Sequence, residues 1–399
     1  MIETLAEWLN ASSAGRERAV QSSLARIREM DPSIHAWAHV EPQPPTGSGP
    51  LSGIPFAAKD IFETRGLPTE YGSPIYKGRI STEDAAIVGD LRQRGAILLG
   101  KTHTAAFAHR TPAPTRNPRN LAHTPGGSSS GSAAAVAAGM VPLALGSQTK
   151  GSVLRPASYC GVTGFKPTFG LIPMDGVLPL SASLDTVGFF THTPSDMRAL
   201  WEALGYVAGP LRPTLYGVPE PMPDVEPVMV KAFQDAVDRL RASGASIRSI
   251  DIAGMLSTLC EANDTVMYYE GARFHRDRYD EYGDRLGEIA ALVRRGLLIS
   301  EKDYQAAKST IAECRSQIAK TYEATPVILV PAATGPAPAG VSSTGDARMN
   351  APWTTLGTPA ISIPLPVGEG LPLGLQLTAA HGHDGALIST AVYVQAIVN

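Results

Sequence analysis

Two short runs carry the hydroxyls that could do chemistry. Residues 124–139 read TPGGSSSGSAAAVAAG and residues 146–161 read GSQTKGSVLRPASYCG. A serine becomes a nucleophile when something takes its proton. The usual base is histidine, and neither run contains one. His123 sits just before the first run, and His103 and His109 lie farther back. A lysine serves instead if burial lowers its pKa from the reference of about 10.4. Lys59 follows the apolar stretch GIPFAA, which a sheet could carry into the interior. The plainer reading of Lys59 is a surface residue whose stem snorkels along apolar neighbours. The first run also offers a glycine-rich turn before a small-residue helix, an arrangement that binds anions. It matches neither the P-loop nor the dinucleotide fingerprint in glycine spacing or lysine position.

The elements around these runs must position them. Residues 2–30 read as one or two surface helices, with Leu5, Trp8 and Leu9 on one face and Val20, Leu24 and Ile27 on another. Residues 41–50 read as a loop by their proline and glycine content. The stretch AAIVGDLRQRGAILLGKTHTAAFA reads as a helix, a stop at Gly95, and a strand. Residues 225–243 form a helix ended by Gly244, and ASIRSIDI a strand. Residues 256–324 are rich in helix formers, charges and tyrosine. TPVILVPAAT, PAISIPLP and LPLGLQLTAA read as buried strands before a closing helix, DGALISTAVYVQAIV. This alternation implies a mixed sheet with covering helices.

Composition narrows the class further. The 399 residues carry a formal charge of −3 and are 43% hydrophobic, enough for a substantial core. Charge is mixed along the chain, which argues against a nucleic-acid partner, since such proteins present a basic face. Cys160, Cys260 and Cys314 are odd in number and widely spaced, so they fit no disulfide framework or zinc pattern. They read as free thiols in a reducing compartment, and Cys160 as a small core residue. The amphipathic N-terminus has no signal-peptide core, and no apolar run reaches about 18 residues. A cytoplasmic location with no membrane contact is the expectation.

LSGIPFAAKDIF followed by PGGSSSGSAAAVAAGMVPLALGSQTKGSVLRPASYCGVTGFKPT resembles the amidase signature family. The likeness includes the 24-position spacing from Ser128 to Ser152, the segment LDTVGFF at 184–190, and STGDARMNAPWTTLGTPAISIPLP. It covers nearly the whole chain and looks nearest to the malonamidase-like bacterial members. It implies one large α/β domain, 1–399, with a mixed, mostly parallel twisted sheet covered by helices on both faces. Residues 50–190 and 325–399 would form the sheet core with the catalytic residues, and 195–324 a mostly helical layer shaping the pocket.

The resemblance also implies a Ser–cis-Ser–Lys triad. Ser152 matches the nucleophile, Ser128 the bridging serine after a cis Gly127–Ser128 bond, and Lys59 the base. Ser129 matches a supporting position, and Ser130 and Ser132 are assigned to turn packing. Backbone N–H groups of Thr149, Lys150, Gly151 and Ser152 would stabilise the oxyanion. No metal or cofactor is implied. Gln148 agrees with the malonamidase-like branch and is expected at the substrate. Lys150 stands where a glycine is common. It either points away, or reaches the pocket to meet a negative substrate group or depress the Lys59 pKa. Arg155 matches an arginine that binds the free carboxylate of a dicarboxylic monoamide, or else makes a structural ion pair with an acid of the helical layer. The expected activity is hydrolysis of a small carboxylic amide such as malonamate, by a homodimer. Alternatives are an arylamide, carbamate or ester hydrolase with the same triad, and the tRNA-dependent amidotransferase, in which such a chain is the catalytic component. Short length and near-neutral charge weigh against the last.

Overall fold

The computed structural model describes residues 2–209 and 213–399. Among these residues eleven strands form one sheet: β1 (Trp37–Gln43), β2 (Pro55–Lys59), β3 (Ile97–Thr102), β4 (Leu143–Gln148), β5 (Thr163–Lys166), β6 (Thr186–Thr191), β7 (Leu215–Pro219), β8 (Ser246–Ile250), β9 (Val327–Pro331), β10 (Ala360–Leu365) and β11 (Leu373–Ala379). Their order is β1-β3-β2-β4-β6-β5-β10-β11-β9-β7-β8. Every residue of β2, β4, β5, β6, β9 and β11 is buried. Strands covered on both faces read as continuous apolar runs, which is why PFAAK, LALGSQ and VILVP do not alternate. One large hydrophobic cluster runs through the molecule.

The sheet is mixed, as expected, but it is not mostly parallel. Four pairings are parallel and six antiparallel among the described residues. The parallel pairs lie toward the two sides, β3-β2-β4 and β9-β7-β8, while the middle, β4-β6-β5-β10-β11-β9, is antiparallel throughout. Helix–strand alternation constrains connection length, not the direction in which each strand enters the sheet. The sheet also extends past the expected core. β1 precedes residue 50, and β7 and β8 fall in the segment expected to be mostly helical. The two outermost strands differ from the interior. β1 carries two register breaks against β3, and β8 is mostly exposed, with Arg248 at its middle.

The helical layer forms for ordinary reasons. In the helix Pro227–Ala242, Met229, Phe233, Ala236, Val237 and Leu240 are buried, one face at helical spacing. Pro194–Ala203 starts with a proline and a capping box between Thr193 and Asp196. The helix Ala253–Phe274 packs on Glu288–Leu297, Glu301–Ala324 and Ala351–Leu356. The same helix reaches the loop after β4 through Asn263 and Asp264. No helix among the described residues is long and apolar enough to cross a membrane.

Candidate active site

β2 and β4 run parallel and adjacent, with Ala58 beside Leu145. Their C-terminal ends therefore open on the same side, where α/β sheets commonly place their sites. Lys59 ends β2 and Ser147 lies next to the end of β4. Each candidate serine lies within two residues of a helix start. Ser128 and Ser129 lead into Ser130–Ala137, and Ser152 into Leu154–Cys160 after one residue.

The Lys59 side chain is fully buried. Its Nζ donates to Ser128 Oγ and to Ser147 Oγ, both at 2.8 Å. Burial pushes its pKa down to about 7, while the Asp185 charge pulls the other way. The snorkelling alternative is thus excluded. Asp185 is itself buried. It accepts from Thr149 Oγ1 at 2.5 Å and from the N–H groups of Leu180 and Ser181, and burial raises its pKa to about 6.

The turn holding Ser128 has little spare room. The Gly127–Ser128 peptide is cis. Gly126 has φ +82°, and a Cβ on Gly127 would lie 2.7 Å from the Thr344 methyl, so neither position admits a side chain without displacement. Ser129 Oγ donates to Ser147 O and accepts from Ser147 N, both at 3.3 Å, which fixes the residue that meets Lys59. Ser130 Oγ bonds Gly126 O, and Ser132 Oγ bonds Leu145 O, as turn and helix packing.

Ser128, Thr149, Lys150, Gly151, Ser152 and Arg155 share one cavity of about 900 Å³. The loop 342–347, the segment 108–112, Leu180, and Met267, Gly287 and Glu288 of the helical layer complete its lining. Among the described residues the N–H groups of Thr149, Lys150, Gly151 and Ser152, the four expected donors, have no acceptor. Donors left free beside a nucleophile can receive a developing oxyanion.

The structure reassigns Gln148 and narrows the alternatives for Lys150 and Arg155. Gln148 is fully buried and outside the cavity wall. Its Oε1 accepts from Val153 N and Leu154 N, and its Nε2 donates to Thr354 Oγ1. It satisfies the open N–H groups where the helix Leu154–Cys160 starts, rather than meeting a substrate. Lys150 does line the cavity, but its Nζ pairs with Asp264 at 2.6 Å. Burial, not a second cation, is the leading cause of the low Lys59 pKa. Arg155 has no carboxylate in ion-pairing range among the described residues, so the structural ion pair is absent. Its Nη2 donates to Gly127 O at 2.6 Å and to Thr344 Oγ1 at 3.2 Å, and its buried Nε has no partner among the described residues. Asp346, nearby, pairs with Arg348.

Among the described residues no histidine side chain is hydrogen bonded to Ser128 or Ser152. His123 bonds Ala337 O. His109 lines the cavity, and burial holds its pKa down at about 3, so it is neutral. Cys160 is fully buried, its thiol pushed up to about 12 by that burial, consistent with a packing role. Sequence reasoning missed Ser147, Asp185, Asn263 and Thr354. Ser147 and Asp185 lie inside the motif segments, but only the pairing of β2 with β4 and of β4 with β6 shows that they converge.

Residues 18–210 and 206–388 match the Amidase family. The chain belongs to the amidase family. A glutamyl-tRNA(Gln) amidotransferase chain of Geobacter metallireducens, that enzyme's A component, is 31% identical over 94% of this chain and 92% of its own length. A crystal structure of an amidase superposes with a TM-score of 0.87 at 28% identity, covering 95% of each chain. The corresponding amidotransferase chain of Thermotoga maritima superposes at 0.85 and 28%, covering 97% of this chain and 93% of that one. This amidase-family chain is therefore an enzyme with the family's fold. The Geobacter and Thermotoga relatives are amidotransferase components rather than malonamidases. Nor does short length separate the chain from them, since it spans 92% of the Geobacter protein.

Proposed function

We propose that this enzyme hydrolyses a small carboxylic amide through an acyl-enzyme on Ser152. The observation that carries the reading is a fully buried Lys59 bonded to Ser128, in a cavity shared with Ser152 and with free backbone donors. Above about pH 7 the amine is neutral and able to accept a proton. Ser128 passes its proton to Lys59 and takes one from Ser152. Ser152 Oγ bonds to the amide carbon, and the oxyanion meets the N–H groups of Lys150, Gly151 and Ser152. The proton returns along the same path to the amide nitrogen, and the C–N bond breaks to release ammonia. Water, deprotonated by the same relay, then cleaves the ester and frees Ser152.

The acyl part of the substrate is read elsewhere in the cavity. Arg155 has one hydrogen-bonding edge on Gly127 and Thr344 and, among the described residues, no carboxylate partner. A guanidinium without an anion favours a substrate that brings one, such as malonamate. An ammonia-release assay over small amides with and without a carboxylate, beside arylamides, carbamates and esters, tests this. Equal kcat/KM for carboxylated and neutral amides would remove the carboxylate from the proposal. Failure on all amides would remove the amidase activity.

A second reading is favoured by the 31% identity to an amidotransferase component. In that case the chain would release ammonia from glutamine for use by a partner protein. Its marks would be a stable heteromer on affinity purification and ammonia release that depends on it. A purified single chain with full amide turnover speaks for the hydrolase.

A further inference from the structure

The loop after β4 is held by its carbonyls. Asn263 Nδ2 donates to Thr149 O at 3.2 Å, and Thr354 Oγ1 to Lys150 O at 2.9 Å. Arg155 N donates to Gly151 O and Ser129 N to Ser152 O. A peptide unit is planar, so fixing its carbonyl also fixes the direction of the N–H on the other side. The free donors of residues 150–152 are oriented this way.

One further tether runs through a side chain. Lys150 Nζ meets Asp264 Oδ1 at 2.6 Å. Asp264 follows Asn263 on the helix Ala253–Phe274, so two adjacent helix residues grip two adjacent loop residues. Both side chains of the ion pair are about two-thirds covered, at 27% and 33% exposure, which limits screening by solvent. Lys150 sits at the cavity wall, one residue before Gly151 and two before Ser152.

We propose that Lys150 and Asp264 are positioning residues: their ion pair fastens the oxyanion-binding loop to the helical layer and sets the aim of its N–H groups. Lys150 is then not a substrate ligand, although it lines the cavity. The inference rests on the hydrolytic reading of the site. A loop displaced by a fraction of an ångström loses transition-state contacts while ground-state binding, made elsewhere, survives.

The test compares Lys150→Met, Lys150→Arg and Asp264→Asn with the parent chain on malonamate and on a neutral amide. Lys150→Met and Asp264→Asn should lower kcat about tenfold on both amides. KM and melting temperature should stay close to those of the parent, and Lys150→Arg should recover most of the rate. The rate of Ser152 phosphonylation by a fluorophosphonate, which also builds charge on oxygen, should fall in step. A KM rise confined to malonamate makes Lys150 a substrate ligand and overturns the proposal. Unchanged kcat and unchanged phosphonylation overturn it as well. If the parent chain is phosphonylated but hydrolyses no amide, the hydrolytic reading fails, and the labelling rates alone decide the strut.

Discussion

Lys59 and Ser147 are hydrogen bonded at 2.8 Å across two neighbouring parallel strands. The lysine thus has two hydroxyl partners, and only one of them, Ser128, lines the cavity. Ser147 holds the amine from behind, and Ser129 holds Ser147 by its backbone. A buried amine fixed on both sides loses little freedom when the proton moves.

Replacing the amine should separate activity from stability. Lys59→Met should lower kcat for amide hydrolysis by roughly 10³-fold or more. The folded pKa is about 7, well below the value of about 10.4 for an unfolded chain. Between these values the unfolded chain holds the extra proton, so this lysine costs stability at neutral pH, and the cost falls as pH rises. The variant should therefore melt higher than the parent at pH 7, with a gap that narrows toward pH 10. Calorimetry across that range checks it. A variant that melts lower at pH 7 would show that the stranded hydroxyls of Ser128 and Ser147 outweigh the buried amine.

The pH profile should follow the same group. Activity needs neutral Lys59, so kcat/KM should rise with pH through about 7. The Asp185 charge favours the ammonium form. Asp185→Asn removes it, and the rising limb should move to lower pH. A limb that stays in place, in a variant that still turns over, would detach Asp185 from the titration of the base.

Arg155→Ala should act at two levels. Loss of the bond to Gly127 O should slow every substrate. Loss of a carboxylate contact should add a further penalty of about 10- to 100-fold in kcat/KM for malonamate alone. The ratio of malonamate to neutral amide isolates that second effect. An unaltered ratio would leave Arg155 as a support for the turn.

Gln148→Ala should behave as a fold variant. It leaves two buried N–H groups without their acceptor. Urea unfolding should show a loss of about 1–3 kcal/mol. KM for any amide should not rise, because the side chain lies outside the cavity wall.

Much of this was legible in the residues. Fully buried strands announce themselves as apolar runs, and the serine-rich turns stand out because small residues must pack backbone on backbone. The fold class and the lysine–serine contact followed from those features and the family likeness. Strand direction did not, because β5, β6, β10 and β11 meet antiparallel through connections whose course no local pattern specifies. Gln148 misled for a related reason. The family likeness put it at the substrate, yet here it answers the needs of the helix that follows. Asn263 and Asp264 sit over 100 residues from the loop they hold, in a helix whose own spacing reports only its packing face.

The two borders of the sheet make poor templates for a neighbour. On one side Glu41 and Pro42 interrupt the ladder where its register already slips. On the other, a short solvent-washed strand presents a guanidinium group. Charge, proline and irregular pairing all discourage recruitment of an incoming β-segment. Crowded copies of this protein should therefore resist stitching together edge to edge, and any specific self-association should use helical surfaces instead.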